Sequence, residues 1–203
     1  MIRIAIVVGS TRAGRRTAVA ARWVTEVAAR HRAALSGEAA FEVVDIADHG
    51  LPVLDEPLPA IFGDYRRPHT TRWARTIASF DGFVFVTPEY NHSAPASLKN
   101  AIDFLFAEWN NKAAGFVSHG VHGGTRAVEH LRQVLTEVQV ANVRTQVALS
   151  AFTDFEITDP AEPGVIAPGP HQEPTLVEML DEVIAWSGAL KALRDATTGE
   201  LTA

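Results

Sequence analysis

The stretch Ile2-Arg3-Ile4-Ala5-Ile6-Val7-Val8-Gly9-Ser10-Thr11-Arg12-Ala13-Gly14-Arg15-Arg16-Thr17 begins as a nearly continuous apolar run and stops at a glycine, after which come small hydroxyls and three arginines. Such a run suits a central strand of a parallel sheet, covered by helices on both faces. In open α/β sheets, ligands bind beyond the carboxyl ends of these strands. Here that place offers free backbone N–H groups, the hydroxyls of Ser10, Thr11 and Thr17, and the positive end of the next helix. Those are the parts of a phosphate cradle. A plain βα turn with solvated arginines is the competing reading. The pattern is not G-x-x-x-x-G-K-[ST], because the loop has no lysine, and not G-x-G-x-x-G, because Thr11 stands where the second glycine belongs. A cradle of hydroxyls and arginines without a Mg-binding P-loop fits a phosphate monoester such as that of flavin mononucleotide (FMN).

The chain has 203 residues, which suits one domain, expected over residues 1–195 with a frayed tail at 196–203. Apolar residues make up 47% and charged residues 21%, the proportions of a globular protein. There is no cysteine, so thiolate metal sites, iron–sulfur ligation, thiol nucleophiles and disulfides are excluded together. No other metal-ligand pattern stands out. A first strand that opens at Ile2 leaves no room for a signal peptide, and no apolar run reaches the ~18 residues of a membrane span, so the cytoplasm is expected. The net charge of −6 disfavours nucleic acid. Arg12, Arg15 and Arg16 then form a local basic spot on an acidic protein, which favours a small anionic ligand.

From Thr17 to about Arg32, apolar residues recur at helical spacing, with Trp23 on the core stripe. A second strand is expected at 41–46. Residues 47–69 form a long connection rich in proline yet carrying Leu51, Val53, Leu54, Leu58, Ile61, Phe62 and Tyr65. It reads as a flap over the site, a subunit-contact surface or a packed crossover. Thr70 or Thr71 is expected to cap the next helix. Further strands are expected at 82–87, 113–118 and 143–149, separated by helices, and a last helix at about 175–193. Residues 150–174 read as a surface loop, with 158–170 outside any site. Five strands alternating with helices give a doubly wound parallel sheet of flavodoxin-like order 2-1-3-4-5, a three-layer α/β sandwich.

That order brings together the loops 9–17, 87–95 and 118–125 at the switch point between strands one and three. The first holds phosphate. The second, Pro88-Glu89-Tyr90-Asn91, is a rigid wall for a flat ring. The third, with Gly120, Gly123 and Gly124, opens a helix whose N–H groups favour developing negative charge. His119 and His122 have two readings, groups that tune the ring electrostatically or donate to a substrate oxygen, and plain surface loop residues, and the second is expected for them and for His92.

The combination Gly9-Ser10-Thr11-Arg12…Thr17, Pro88-Glu89-Tyr90-Asn91…Pro95…Leu98-Lys99-Asn100-Ala101-Ile102-Asp103 and Gly123-Gly124-Thr125-Arg126-Ala127…Leu131-Arg132 resembles the NADPH-dependent FMN reductase family, which includes flavodoxin-like quinone, chromate and azo dye reductases. The resemblance implies FMN with its phosphate at Ser10, Thr11, Arg12, Arg15, Arg16 and Thr17. It places the ring against Pro88, Glu89, Tyr90 and Asn91, with Ser118, Gly120, Gly123 and Gly124 at the other edge. It also implies NADPH or NADH as electron donor, a small acceptor such as a quinone, azo dye, metal oxyanion or free flavin, and a homodimer or homotetramer. The flavin then carries the chemistry, so no catalytic acid, base or nucleophile is expected from the protein.

Rivals of the same fold meet specific obstacles. A low-molecular-weight phosphatase needs a cysteine in the first loop, and a receiver domain needs an aspartate where Thr87-Pro88 stands. A flavodoxin-like electron carrier and a flavin-binding sensor are the alternatives to a reductase.

Overall fold

The computed structural model describes the backbone of residues 1–201 and the side chains of residues 1–196. Its centre is a five-stranded parallel sheet of order β2-β1-β3-β4-β5. The strands are β1 (Ile2–Val8), β2 (Ala39–Asp45), β3 (Gly82–Pro88), β4 (Lys112–Gly120) and β5 (Val140–Ser150). Crossovers are α1 (Arg16–Arg30) with the short α2 (Arg32–Leu35), then α3 (Pro68–Ala78), α4 (Ala96–Asp103) and α5 (Thr125–Glu137). A two-residue antiparallel pair, β6 (Phe155–Glu156) with β7 (Val165–Ile166), precedes the last helix α6 (Gln172–Leu201). The tail expected at 196–203 falls, apart from Ala196 and the helical backbone to Leu201, outside the described residues. Among the described residues no helix is long and apolar enough to cross a membrane.

The apolar runs are explained by burial on both faces. Side chains alternate along a strand, so Ala5, Val7, Phe83, Phe85, Ala114 and Phe116 face α3, α4 and α5. Ile4, Ile6, Val8, Val84, Val86 and Val117 face α1 and α6, where Val24, Val27, Leu176, Leu180 and Val183 meet them, and Trp23 closes that layer as expected. Each full burial of such a side chain is worth about 1.5–3 kcal/mol. The first face is aromatic, with Trp109 edge-on to Phe83 at 4.9 Å between ring centroids. Its indoles are satisfied: Trp73 Nε1 donates to the carbonyl of Ala101 and Trp109 Nε1 to that of Ile102.

Several boundaries differ from the sequence expectation. Helix α3 starts at Pro68, whose fixed φ suits the first helical position, and its cap is Arg67 rather than Thr70 or Thr71. The 47–69 connection is packed at its stem, since Asn100 Nδ2 donates to Pro52 O and Leu54 N–H donates to Asn100 Oδ1. Val53, Ile61 and Phe62 nevertheless stand more than half exposed. Strand β4 runs two residues past its expected end because β5 also extends, pairing Leu149 with His119 and Ser150 with Gly120.

Candidate functional site

Adjacent pairing of β1, β3 and β4 sets their three carboxyl-terminal loops side by side. Two bonds fix the spacing: Gly9 N–H donates to Val86 O at 2.9 Å, and Glu89 N–H donates to His119 O at 3.0 Å. The loops enclose a pocket of about 200 Å³, walled by residues 12–16, by Pro88, Glu89 and Tyr90, and by His119, Gly120 and Val121. A fourth wall comes from Ala151, Pro160 and Ala161.

The first wall has the makings of an anion site. Helix α1 begins without a side-chain cap and without an acid in its first turn, so its first N–H groups and their partial positive charge are not neutralised there. Arg12 and Thr11 are exposed. Arg15 pairs with Asp45, and Arg16 donates to the carbonyls of Pro160 and Glu162 at 3.3 and 3.2 Å. The Nε–H groups of both Arg15 and Arg16 are buried without a partner. Burying an unsatisfied donor costs about 1–3 kcal/mol, more when it is charged. Two such donors beside a pocket that Arg12 also lines are suited to receive phosphate oxygens.

Ser10 and Thr17, the two fully buried hydroxyls of this loop, are engaged within the protein. Ser10 Oγ shares a hydrogen bond with Tyr90 Oη at 3.0 Å and accepts from Arg12 N–H at 3.4 Å, so it ties the first loop to the second. Thr17 Oγ1 lies 2.9 Å from His119 Nε2 and ties the first loop to the third. His119 therefore departs from the surface position expected for it. It sits in the extended end of β4, 7% exposed, and burial followed by the nearby positive Arg16 lowers its pKa from 6.5 to about 4. The ring is neutral at neutral pH. His92 and His122 are exposed, as expected.

In the second loop, Tyr90 and Ser93 exchange both backbone hydrogen bonds across a two-residue turn in which Asn91 and His92 have φ of 47° and 73°. Both left-handed positions are those of a type I′ turn, which asparagine tolerates. Asn91 thus points to a turn role and lies outside the pocket wall, whereas Pro88, Glu89 and Tyr90 form it. The Glu89 carboxylate accepts from Arg126 N–H at 3.2 Å and pairs with the Arg126 guanidinium. Burial alone would raise its pKa; the Arg126 guanidinium and the N–H groups opening α5 outweigh that and hold it below the usual carboxylate value. Part of the donor-rich start of α5 is therefore already occupied by Glu89.

In the third loop, Gly120 reaches the pocket, while Ser118, Gly123 and Gly124 lie behind it. Ser118 Oγ donates to Gly123 O at 2.6 Å. Gly124 has φ of 73°, and a Cβ there would sit 2.9 Å from both N and O of His119. It is glycine because the turn doubles back against β4.

The fourth wall was not legible in the sequence. Residues expected to form a loop apart from the site fold back over the first loop, closely enough that a Cβ on Gly14 would lie 2.6 Å from Ala161 O. A larger hollow of about 630 Å³ against Trp23, Pro168, Pro174 and Val177 offers Glu173 as its only charged wall residue, and so nothing to hold an anion.

The family model described as NADPH-dependent FMN reductase matches residues 2–154. A NAD(P)H-dependent FMN reductase of Schizosaccharomyces pombe is 38% identical over 165 residues, covering 80% of each chain. A quinone reductase of Escherichia coli is 48% identical over 68 residues, 30% of this chain and 36% of its own. Among solved structures, FerB from Paracoccus denitrificans, a flavoenzyme NAD(P)H:(acceptor) oxidoreductase, has the same fold with a TM-score of 0.68 at 22% identity, covering 93% of this chain and 98% of that one. The match over three quarters of the chain, joined to 38% identity across most of a curated relative, establishes that this chain belongs to the NADPH-dependent FMN reductase family.

Proposed function

We propose that the chain is an FMN-dependent NAD(P)H oxidoreductase, passing a hydride from NAD(P)H to bound FMN and electrons onward to a small acceptor such as a quinone. One observation carries the reading on the structural side: the buried, unpartnered Nε–H groups of Arg15 and Arg16 stand at an uncapped helix start. A phosphate monoester satisfies both. In this reading the phosphate lies among Thr11, Arg12, Arg15 and Arg16, with the buried Ser10 and Thr17 behind it, tying the first loop to the second and third. Pro88, Glu89 and Tyr90 form the ring wall, which the turn at Asn91 holds in place, with Gly120 at the opposite edge and Ser118, Gly123 and Gly124 shaping that edge from behind. FMN supplies the hydride and electron transfer. The protein's residues bind the phosphate, hold the ring wall rigid through the Ser10–Tyr90 bond, and keep the Glu89 charge compensated by Arg126.

The chain works in this reading as a homodimer or homotetramer, supported by the exposed apolar side chains of Val53, Ile61 and Phe62. Its location is the cytoplasm, where reduced nicotinamide nucleotides are available. The test is to load the purified chain with FMN, remove the excess, add NADPH without oxygen, and follow the visible flavin absorbance. Rapid bleaching supports the reductase. Retained flavin that stays oxidised replaces it with a carrier or sensor, and failure to retain flavin refutes the anion-site assignment.

A further inference from the structure

The match to the family model ends at residue 154, and the segment that follows is a built element of the fold. Asp154, 3% exposed, accepts from the N–H groups of Ser150 and Gly169, both at 2.8 Å, and from Gln172 Nε2 at 3.3 Å. Its carbonyl accepts from Ala167 N–H at 2.9 Å. Those bonds clamp both ends of residues 155–168, and the β6–β7 pair holds the two arms together. At the tip, Asp159 accepts from Ala161 N–H through its side chain and from Glu162 N–H through its carbonyl. This turn sets Pro160 and Ala161 on the pocket wall.

We propose that residues 155–168 are a lid that admits a flavin ending in a single phosphate and excludes a flavin dinucleotide. The proposal rests on the flavin reading above. A monoester ends at its phosphate. A dinucleotide continues through a second phosphate to an adenosine, which has to leave the cradle past the residues that hold the first. Pro160 and Ala161 close that way out, packed on the phosphate loop at Gly14. The pocket of about 200 Å³ is below the ~300 Å³ where whole small-molecule sites begin, so it suits one end of a ligand and has no room within it for an adenylate as well. Asp159 and Glu162, both exposed at the tip, add like charge against a second phosphate. Arg16 is the latch. One terminal nitrogen donates to the lid carbonyls of Pro160 and Glu162, while its buried Nε–H is left for the anion. The same guanidinium binds ligand and lid, so phosphate binding and lid closure favour one another.

The experiment compares dissociation constants for FMN, flavin adenine dinucleotide and riboflavin in the unaltered chain and in a variant with residues 158–163 replaced by two glycines. The unaltered chain is expected to bind FMN more than about tenfold tighter than the dinucleotide. In the variant that ratio is expected to fall about tenfold or more through tighter dinucleotide binding, with riboflavin unchanged. An unchanged ratio, or one that falls only because FMN weakens, overturns the lid. Amide exchange on the unaltered chain supplies the second readout, free of any folding defect. FMN should slow exchange at residues 158–164 and riboflavin should not; equal effects of the two overturn the proposal. If the unaltered chain binds riboflavin and FMN equally weakly, the phosphate reading itself fails, which is a different result from an unselective lid on a working FMN site.

Discussion

Acid should destabilise this protein through one buried imidazole, and replacing His119 by glutamine should remove that share of the loss. His119 is 7% exposed with Nε2 at 2.9 Å from Thr17 Oγ1, and burial, then the positive Arg16, lowers its pKa from 6.5 to about 4. A base whose folded pKa lies below its unfolded value takes up a proton more readily when unfolded. Its contribution to stability is therefore complete above the unfolded value, is lost as pH falls from there towards about 4, and changes no further below that. A gap of roughly 2.5 pH units is worth about 3 kcal/mol at 1.36 kcal/mol per unit, of which about 2–3 kcal/mol is lost by pH 4.5. Glutamine does not titrate, and its amide can keep the bond to Thr17. Urea unfolding near pH 7 and pH 4.5 should show the unaltered chain losing about 2–3 kcal/mol more than His119→Gln over that interval. Parallel losses in the two chains would show that His119 is not the group responsible.

Arg15→Gln removes a charged donor worth about 1.5–3 kcal/mol, so FMN should bind roughly 10- to 100-fold more weakly while riboflavin is unaffected; fluorescence titration with both flavins checks this, and equal weakening would move the phosphate elsewhere. Gly124→Ala forces a Cβ to 2.9 Å from the His119 backbone at a φ of 73° and should cost about 1–3 kcal/mol or more. An unchanged thermal midpoint contradicts that account of the turn. Lys112, whose Nζ donates to Ile77 O at the end of α3, has its pKa lowered to about 7 by burial and then by Arg194. Stability should accordingly rise by about 2 kcal/mol between pH 7 and pH 9, and Lys112→Met should flatten that rise in urea unfolding.

The central strands could be read because both their faces are covered: Ile4, Ile6 and Val8 meet one helical layer, Ala5 and Val7 the other, and an unbroken apolar run is what remains in the sequence. The first loop was legible as a strand-to-helix turn for a related reason, since an apolar strand that stops at glycine before arginines announces a strand end and a helix start together. Three features were not. The end of β4 depends on Leu149 and Ser150 of a strand thirty residues on, and with it the burial of His119. The Ser10 hydroxyl is drawn to Tyr90, eighty residues away. The direction of the 150–174 segment is set by Asp154, whose partners Gly169 and Gln172 carry no local signal of the bond. The turn at Asn91 was nearer to being legible, because asparagine's tolerance of left-handed backbone is local information.

The central position of β1 also has a cost in time. Its far edge pairs with β3, Val8 against Val86, so β1 is completed only after roughly 80 further residues have been added. At 5–20 residues per second that is ~4–16 s of synthesis. Through that interval the apolar strand that leads into the first loop has β2 on one side and nothing on the other. A nascent chain halted between the two strands displays a sticky parallel edge, and binding of holding chaperones to this protein should concentrate there, before β3 leaves the ribosome.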